Sequence, residues 1–291
     1  MPPLSVSQIA GGKHVDIGDT RLFVQDRGTG YPLIVLHGGP GLDHRVWGDY
    51  LDPLLDSFRL ILVDQRAQGR SDDCPPETWT LEQMAKDVML LADALQLGRY
   101  AVLGHSYGAF VALQNAVDFP GKAAQTIVSS GLPSARYLAH VQDNLAKFEP
   151  AHLREQVTQS WAREAHVQTQ DEFEALMHDQ MPFHFGDPLD PRLAEFERRT
   201  AGGIGATTLL RHFATQDYGG IEVEDRLGVI TQPVLVLAGR ADRTCVVEGA
   251  AAMAAGILDA QFVIFEHSGH MTYVEETERF LQVVRDFLSL H

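Results

Sequence analysis

Gly104-His105-Ser106-Tyr107-Gly108 sets a hydroxyl between two glycines, directly after the apolar run YAVL and directly before the helix-like AFVALQNAV. A serine on a sharp strand-to-helix turn projects its hydroxyl beyond the sheet edge, and the flanking glycines let backbones approach where side chains would collide. A serine hydroxyl is a weak nucleophile until a base takes its proton, so this chemistry needs a histidine, and a carboxylate to orient it. The chain order expected for such a turn is serine, acid, histidine. His270, in Glu266-His267-Ser268-Gly269-His270-Met271 just beyond the run FVIF, is the expected base. His267 is its competitor, ranked second because the Ser-Gly step before His270 suits the sharp approach of a loop. Asp242, in Gly239-Arg240-Ala241-Asp242-Arg243 after PVLVLAG, is the expected carboxylate; the alternative is a pair with Arg240 or Arg243, or a helix cap. Asp225 and Asp259 follow no strand end directly. Attack leaves negative charge on the substrate oxygen, and His37-Gly38-Gly39-Pro40-Gly41, after PLIVL, supplies backbone N–H groups that no side chain hides. Gly39 and the backbone of Tyr107 are the expected donors for an oxyanion hole.

These groups need a scaffold that carries them to one edge. PLIVL, RLILV, YAVLG, TIVSS, PVLVLAG and FVIF are apolar runs rich in Val, Ile and Leu, the pattern of parallel strands covered on both faces. His14 to Asp26 carries two short alternating runs around Gly18-Asp19 and reads as an opening hairpin. Thr80 to Gly98 has the helical stripe Leu81, Met84, Ala85, Val88, Leu91 and Leu95, with Thr80 and Gln83 as a capping box and Gly98 as the C-terminal cap. Strands alternating with helices predict an α/β fold with a doubly wound sheet. Between Gly131 and Asp225 the strand-like runs stop and polar helical stretches replace them. Residues 134–218 are therefore expected to form a helical cap inserted into a core of 1–133 and 219–291, in preference to an independent domain. Gly202-Gly203-Ile204-Gly205 follows no strand and reads as a bend rather than a phosphate loop.

HGGPG, the DQRAQGRS segment from Asp64 to Ser71, GHSYG, GRADRT and SGHM together resemble the proline iminopeptidase branch of the α/β-hydrolase superfamily, across both core halves. The resemblance implies an α/β-hydrolase fold, a mostly parallel doubly wound sheet with an inserted cap. It also implies Ser106, Asp242 and His270 as a triad, Gly39 and Tyr107 as oxyanion donors, and release of an N-terminal residue, preferably proline, through an acyl-enzyme. Typical members resemble G-x-S-W-G-G/S and D-Q-R-G, where this chain has Tyr107, Ala109 and Ala67. Related HGGPG sequences are also similar to esterases, lactonases and amide hydrolases, so ester or lactone hydrolysis is the alternative. A non-catalytic binding scaffold is a third reading, opposed by the intact serine, aspartate and histidine. An aminopeptidase needs acidic cap residues for a protonated amine; the candidates are Glu164, Glu172, Glu174, Glu195 and Glu197. Glu195 and Glu197 are preferred because they flank Phe196 just before the Gly202 bend. His44 and Trp47, after the oxyanion loop, are expected at the entrance, with core packing the equal alternative for Trp47. Trp161, Phe173, Met177, Met181 and Phe183 are candidates for the apolar underside of the cap. His166, His178 and His184 lack H-E-x-x-H spacing and are expected at the surface, so no metal and no cofactor is called for.

Bulk properties set the outer limits. A chain of 291 residues with 45% hydrophobic content can bury a large core. The formal net charge of -16 disfavours nucleic acid and anionic membranes, leaving a small molecule or short peptide as the expected partner. Met1 to Gly12 has no charged and apolar leader pattern, and Cys74 and Cys245 suggest neither a disulfide framework nor a thiolate metal site, so a cytoplasmic protein is expected.

Overall fold

The opening hairpin and the six apolar runs become the strands of one sheet: β1 (Gly12–Asp16), β2 (Arg21–Arg27), β3 (Tyr31–Leu36), β4 (Phe58–Val63), β5 (Ala101–His105), β6 (Gln125–Ser129), β7 (Val234–Gly239) and β8 (Ala260–Phe265). The computed structural model describes residues 12–289; apart from Gly12, the stretch read for a leader lies outside them. The order is β1-β2-β4-β3-β5-β6-β7-β8. The opening hairpin pairs β1 with β2, and β2 joins β4, both antiparallel; every later pairing is parallel. Alternation inside the runs sends successive residues to opposite faces. Ile34 and Leu36 pack with Val88 of helix α1 (Leu81–Ala94) and Val111 of α2 (Tyr107–Asp118), whereas Leu33 and Val35 face the other layer. FVIF is the end strand and only partly covered, which its composition does not reveal.

Thr80 caps α1 by accepting from the Gln83 N–H at 3.1 Å, but the Gln83 side chain turns to Asp87, so only half of the expected capping box forms. The left-handed residue after α1 is Gln96, at φ 54°, and not Gly98.

Between β6 and β7 the chain builds α3 (Ala139–Ala146), α4 (Ala151–Arg163), α5 (Gln170–His184), α6 (Arg192–Thr200), α7 (Thr207–Ala214) and the broken turn α8 (Asp217–Gly220). The two ends of this segment meet in a bridge between Ser134 and Glu222. There the Ala135 N–H donates to the Ile221 carbonyl at 2.7 Å and the Val223 N–H to the Pro133 carbonyl at 2.9 Å. After β7 come α9 (Val247–Gly256), then β8, α10 (Thr272–Glu275) and α11 (Thr277–Ser289). Phe280, Val284 and Phe287 of α11 close the face that holds Leu33 and Val35. Among the described residues, no helix is long and apolar enough to cross a membrane.

Candidate active site

Ser106 sits between the end of β5 and the first turn of α2 with φ 56° and ψ -122°. That backbone region is sparsely populated for a residue with a side chain and persists only where the surroundings enforce it. The enforcement is steric. A Cβ on Gly104 would lie 2.0 Å from the Gly108 carbonyl oxygen, and one on Gly108 would lie 2.4 Å from that of Leu36. The two glycines are therefore required by close approach of β5, α2 and β3. The first N–H groups of a helix have no acceptor within it, so the backbone of Tyr107 is available at this point. Gly39, at φ 116°, lines the same cavity as Ser106; a Cβ there would crowd the N–H groups of Gly41 and Leu42 at 2.9 and 3.0 Å.

The loop after β8 carries His270, and the turn after β7 carries Asp242. His270 Nδ1 donates to Asp242 Oδ2 at 2.8 Å, with both side chains buried. The other carboxylate oxygen accepts the Thr244 and Cys245 N–H groups, each at 2.9 Å. A carboxylate accepts only, so this bond fixes the proton on Nδ1 and leaves Nε2 as the acceptor of the ring. The His270 ring lies between those of His105 and His184, with centroids 4.9 and 5.0 Å away. His105 precedes the serine, and His184 lines the serine's cavity, so both ring neighbours of His270 are also neighbours of Ser106 in chain or cavity. Burial and the neighbouring His270 hold both flanking histidines well below the usual imidazole range, which keeps them neutral. A serine on a strained backbone and an imidazole oriented by a carboxylate are among the parts that acyl transfer requires.

The competing assignments find other places. His267 is exposed, as are Asp225 and Asp259. Arg240 pairs with Glu266, and Arg243 donates to the carbonyls of Phe183, Phe185 and Gly186, so neither takes the Asp242 carboxylate.

The cavity at Ser106 is about 60 Å³, roofed by Trp161, Glu164, Gln180, His184 and Tyr218. Glu164 is the acidic residue that the cap brings here. The residue is 5% exposed, and its carboxylate accepts from Gln180 Nε2 at 2.6 Å and from the Tyr218 hydroxyl, both neutral donors. Burial pushes its pKa up, with those two hydrogen bonds opposing the shift. Glu195 is exposed and paired with Arg198, while Glu197 accepts from His178 in a different cavity, so neither preferred glutamate reaches Ser106. Glu172 is spent on a full capping box with Thr169. His166 and His178 are exposed as expected, but the surface placement of His184 is corrected: the end of α5 turns it against His270. Nor do His44 and Trp47 line this cavity. His44 is buried against Asp64, with Nδ1 2.6 Å from Oδ1, and Trp47 is packed under His105 and Tyr273. Of the expected apolar underside, Trp161 lines the Ser106 cavity, Phe183 packs with Phe148 and Val157, and Phe173, Met177 and Met181 line a second cavity.

One supporting carboxylate gave no signal in the sequence. Glu275 of α10 accepts the Gly186 N–H at 2.7 Å and the Gly269 N–H at 2.8 Å, and so clamps the end of the cap to the loop of His270. Burial pushes its pKa up to about 7 from 4.5. Because the folded value lies above the unfolded one, the folded state holds this proton more firmly. The contribution to stability is full below about pH 4.5 and is lost as pH rises through about 7. Glu275→Gln cannot titrate, so the difference in unfolding free energy between wild type and variant is expected to change across that window and stay constant above it. Urea unfolding from pH 4.5 to 8 measures this; parallel profiles would show that Glu275 does not titrate there.

A profile for the alpha/beta hydrolase fold matches residues 31–277. Proline iminopeptidase of Lactobacillus crispatus (strain ST1) is 29% identical over 277 residues, covering 89% of this chain and 90% of that protein. The solved proline iminopeptidase of Mycobacterium smegmatis superposes with a TM-score of 0.75 at 26% identity, over 97% of this chain and 98% of that one. A thermophilic esterase from Thermogutta terrifontis superposes with a TM-score of 0.73 at 25% identity, over 96% and 98% of the respective chains.

Proposed function

Because the chain belongs to the α/β-hydrolase fold family, we propose that it is a serine hydrolase that cleaves a small residue with a free amine, preferably proline, from the N-terminus of a short peptide. Ser106 attacks the carbonyl carbon while His270 Nε2 takes its proton. The Gly39 and Tyr107 N–H groups receive the oxygen charge, and Asp242 stabilises the imidazolium. Collapse transfers the proton from His270 to the leaving amine, and water, activated by the same imidazole, then releases the acyl group from Ser106.

Glu164 carries the choice of substrate. A buried carboxylate held only by neutral donors is costly to keep ionised, and a cation supplied by the substrate offsets that cost. The small cavity suits an acyl group the size of one residue. Similarity to proline iminopeptidases over most of the chain supports the same reading.

Glu164→Gln keeps a side chain of the same shape and removes the charge. It is expected to lower kcat/KM for a prolyl arylamide by about a hundredfold, roughly 2.7 kcal/mol, and to leave p-nitrophenyl acetate within a few-fold of wild type. Acetylating the proline nitrogen of the substrate should cause a similar loss with the wild-type protein. Equal turnover of free and blocked arylamides would remove amine recognition. Activity confined to the esters would establish the ester hydrolase reading, which the esterase-like fold neighbour also suits.

A further inference from the structure

The loop that gives Gly39 to the Ser106 cavity gives Leu42 and Asp43 to a larger one of about 310 Å³, and among the described residues the two cavities share no lining residue. That volume is in the range of small-molecule sites, roughly 300–1,000 Å³. Its walls are mainly apolar, from Leu42 and Val46 of the core and Phe173, Met177, Met181 and Phe196 of α5 and α6. Ile204, also on the wall, is 40% exposed, one of the few large apolar side chains left open to solvent among the described residues.

Apart from His178, the ionisable side chains on the wall are acidic. Among the described residues, no lysine or arginine lines the cavity, whereas Asp43, Glu174 and Glu197 do. Asp43 is already committed, to the Arg45 and Ile204 N–H groups and to Arg70. Glu174 has a neutral partner, Gln170 Nε2 at 2.8 Å, and Glu197 has His178 Nδ1 at 2.7 Å. An apolar chamber with two carboxylates on its wall complements a molecule with a hydrocarbon body and one positive end.

We propose that this cavity is a second binding site, separate from Ser106, for a small amphipathic amine. The hydrocarbon packs among Phe173, Met177, Met181 and Phe196, and the ammonium faces Glu174 and Glu197. The loop 39–43 connects the site to the Gly39 donor, so an occupant touches the element that shapes the oxyanion hole. The binding itself does not depend on the reaction assigned to Ser106.

Calorimetric titration of the whole protein with hexylamine, hexanol and hexanoate tests the site. Hexylamine is expected to bind at one equivalent, about tenfold or more tighter than either of the others, and Glu174→Gln with Glu197→Gln should remove that preference. Met177→Trp fills the chamber and should abolish binding. Ile204→Trp narrows it from a solvent-facing position that places little demand on folding, and should weaken binding by about tenfold or more. Undetectable binding of hexylamine at millimolar concentration would overturn the proposal, as would equal affinity for all three head groups. Unchanged binding in a folded Ile204→Trp protein would place the amine elsewhere and overturn it as well.

Discussion

Ser106→Ala is expected to reduce kcat by about five to six orders of magnitude, and His270→Ala by a similar amount, with no further loss in the double variant. The hydroxyl and the imidazole act as one proton-transfer unit, so removing either removes the whole function. Residual activity of about 10³ to 10⁴ over water should persist, because Gly39 and the Tyr107 N–H still meet the developing oxyanion. The fold should survive. Ser106 is held at φ 56° by the approach of Gly104 and Gly108, and alanine meets the same backbone limits as serine. Burst and steady-state kinetics on prolyl arylamide and aryl ester, with circular dichroism on each variant, decide the matter. A folded Ser106→Ala protein with wild-type turnover would end the serine hydrolase proposal.

Asp242→Asn is expected to lower kcat by up to about 10⁴-fold while substrate binding and folding persist. The direction follows from the hydrogen bonds around the carboxylate. One oxygen accepts two backbone N–H groups, from Thr244 and Cys245, and the other accepts His270 Nδ1. An asparagine keeps its own oxygen toward the two N–H donors, because the reverse orientation would set its amide hydrogens against them. Its NH2 group then faces Nδ1, which must become an acceptor, and the ring proton moves to Nε2. An imidazole in that form cannot take a proton from Ser106. Asp225→Asn, at an exposed position, should have little effect. The reverse pattern, with Asp225 the sensitive residue, would show that the acid had been misassigned; kcat and KM measured separately make the distinction.

The sheet was legible because its signal is local. An apolar run bounded by turn residues identifies a buried strand without knowledge of its neighbours, and a glycine two residues either side of Ser106 reports a close approach. The pairing of Asp242 with His270 was also within reach, since each follows a strand of that sheet. The roof of the cavity was not. Glu164 lies near the end of an ordinary polar helix, and only the packing of α4 against α5 and Tyr218 turns it inward, so composition could offer it no advantage over Glu195 or Glu197. His184 was hidden for the same reason: nothing in its spacing foretells that the end of α5 meets the His270 loop. Ala67 occupies the place where the resemblance leads one to expect glycine, and its φ of 58° gives the reason for that glycine.

The bridge of Ser134 with Glu222 bears on how this protein can diverge. The chain leaves the sheet and returns to it at one point, so lineages can exchange, lengthen or redraw nearly everything between these residues without altering strand order. New acyl preferences can therefore arise by inheritance of a different roof over an unchanged nucleophile. The stretch that touches the His270 loop resists such exchange. The His184 carbonyl accepts the His270 N–H at 2.7 Å, and Arg243 grips the carbonyls around it. A transplanted roof that lacks a counterpart to Phe183–Gly186 would loosen the base along with the old specificity. Parts of the insertion that do not touch this loop are thus freer to vary, while this short stretch evolves with the machinery below it.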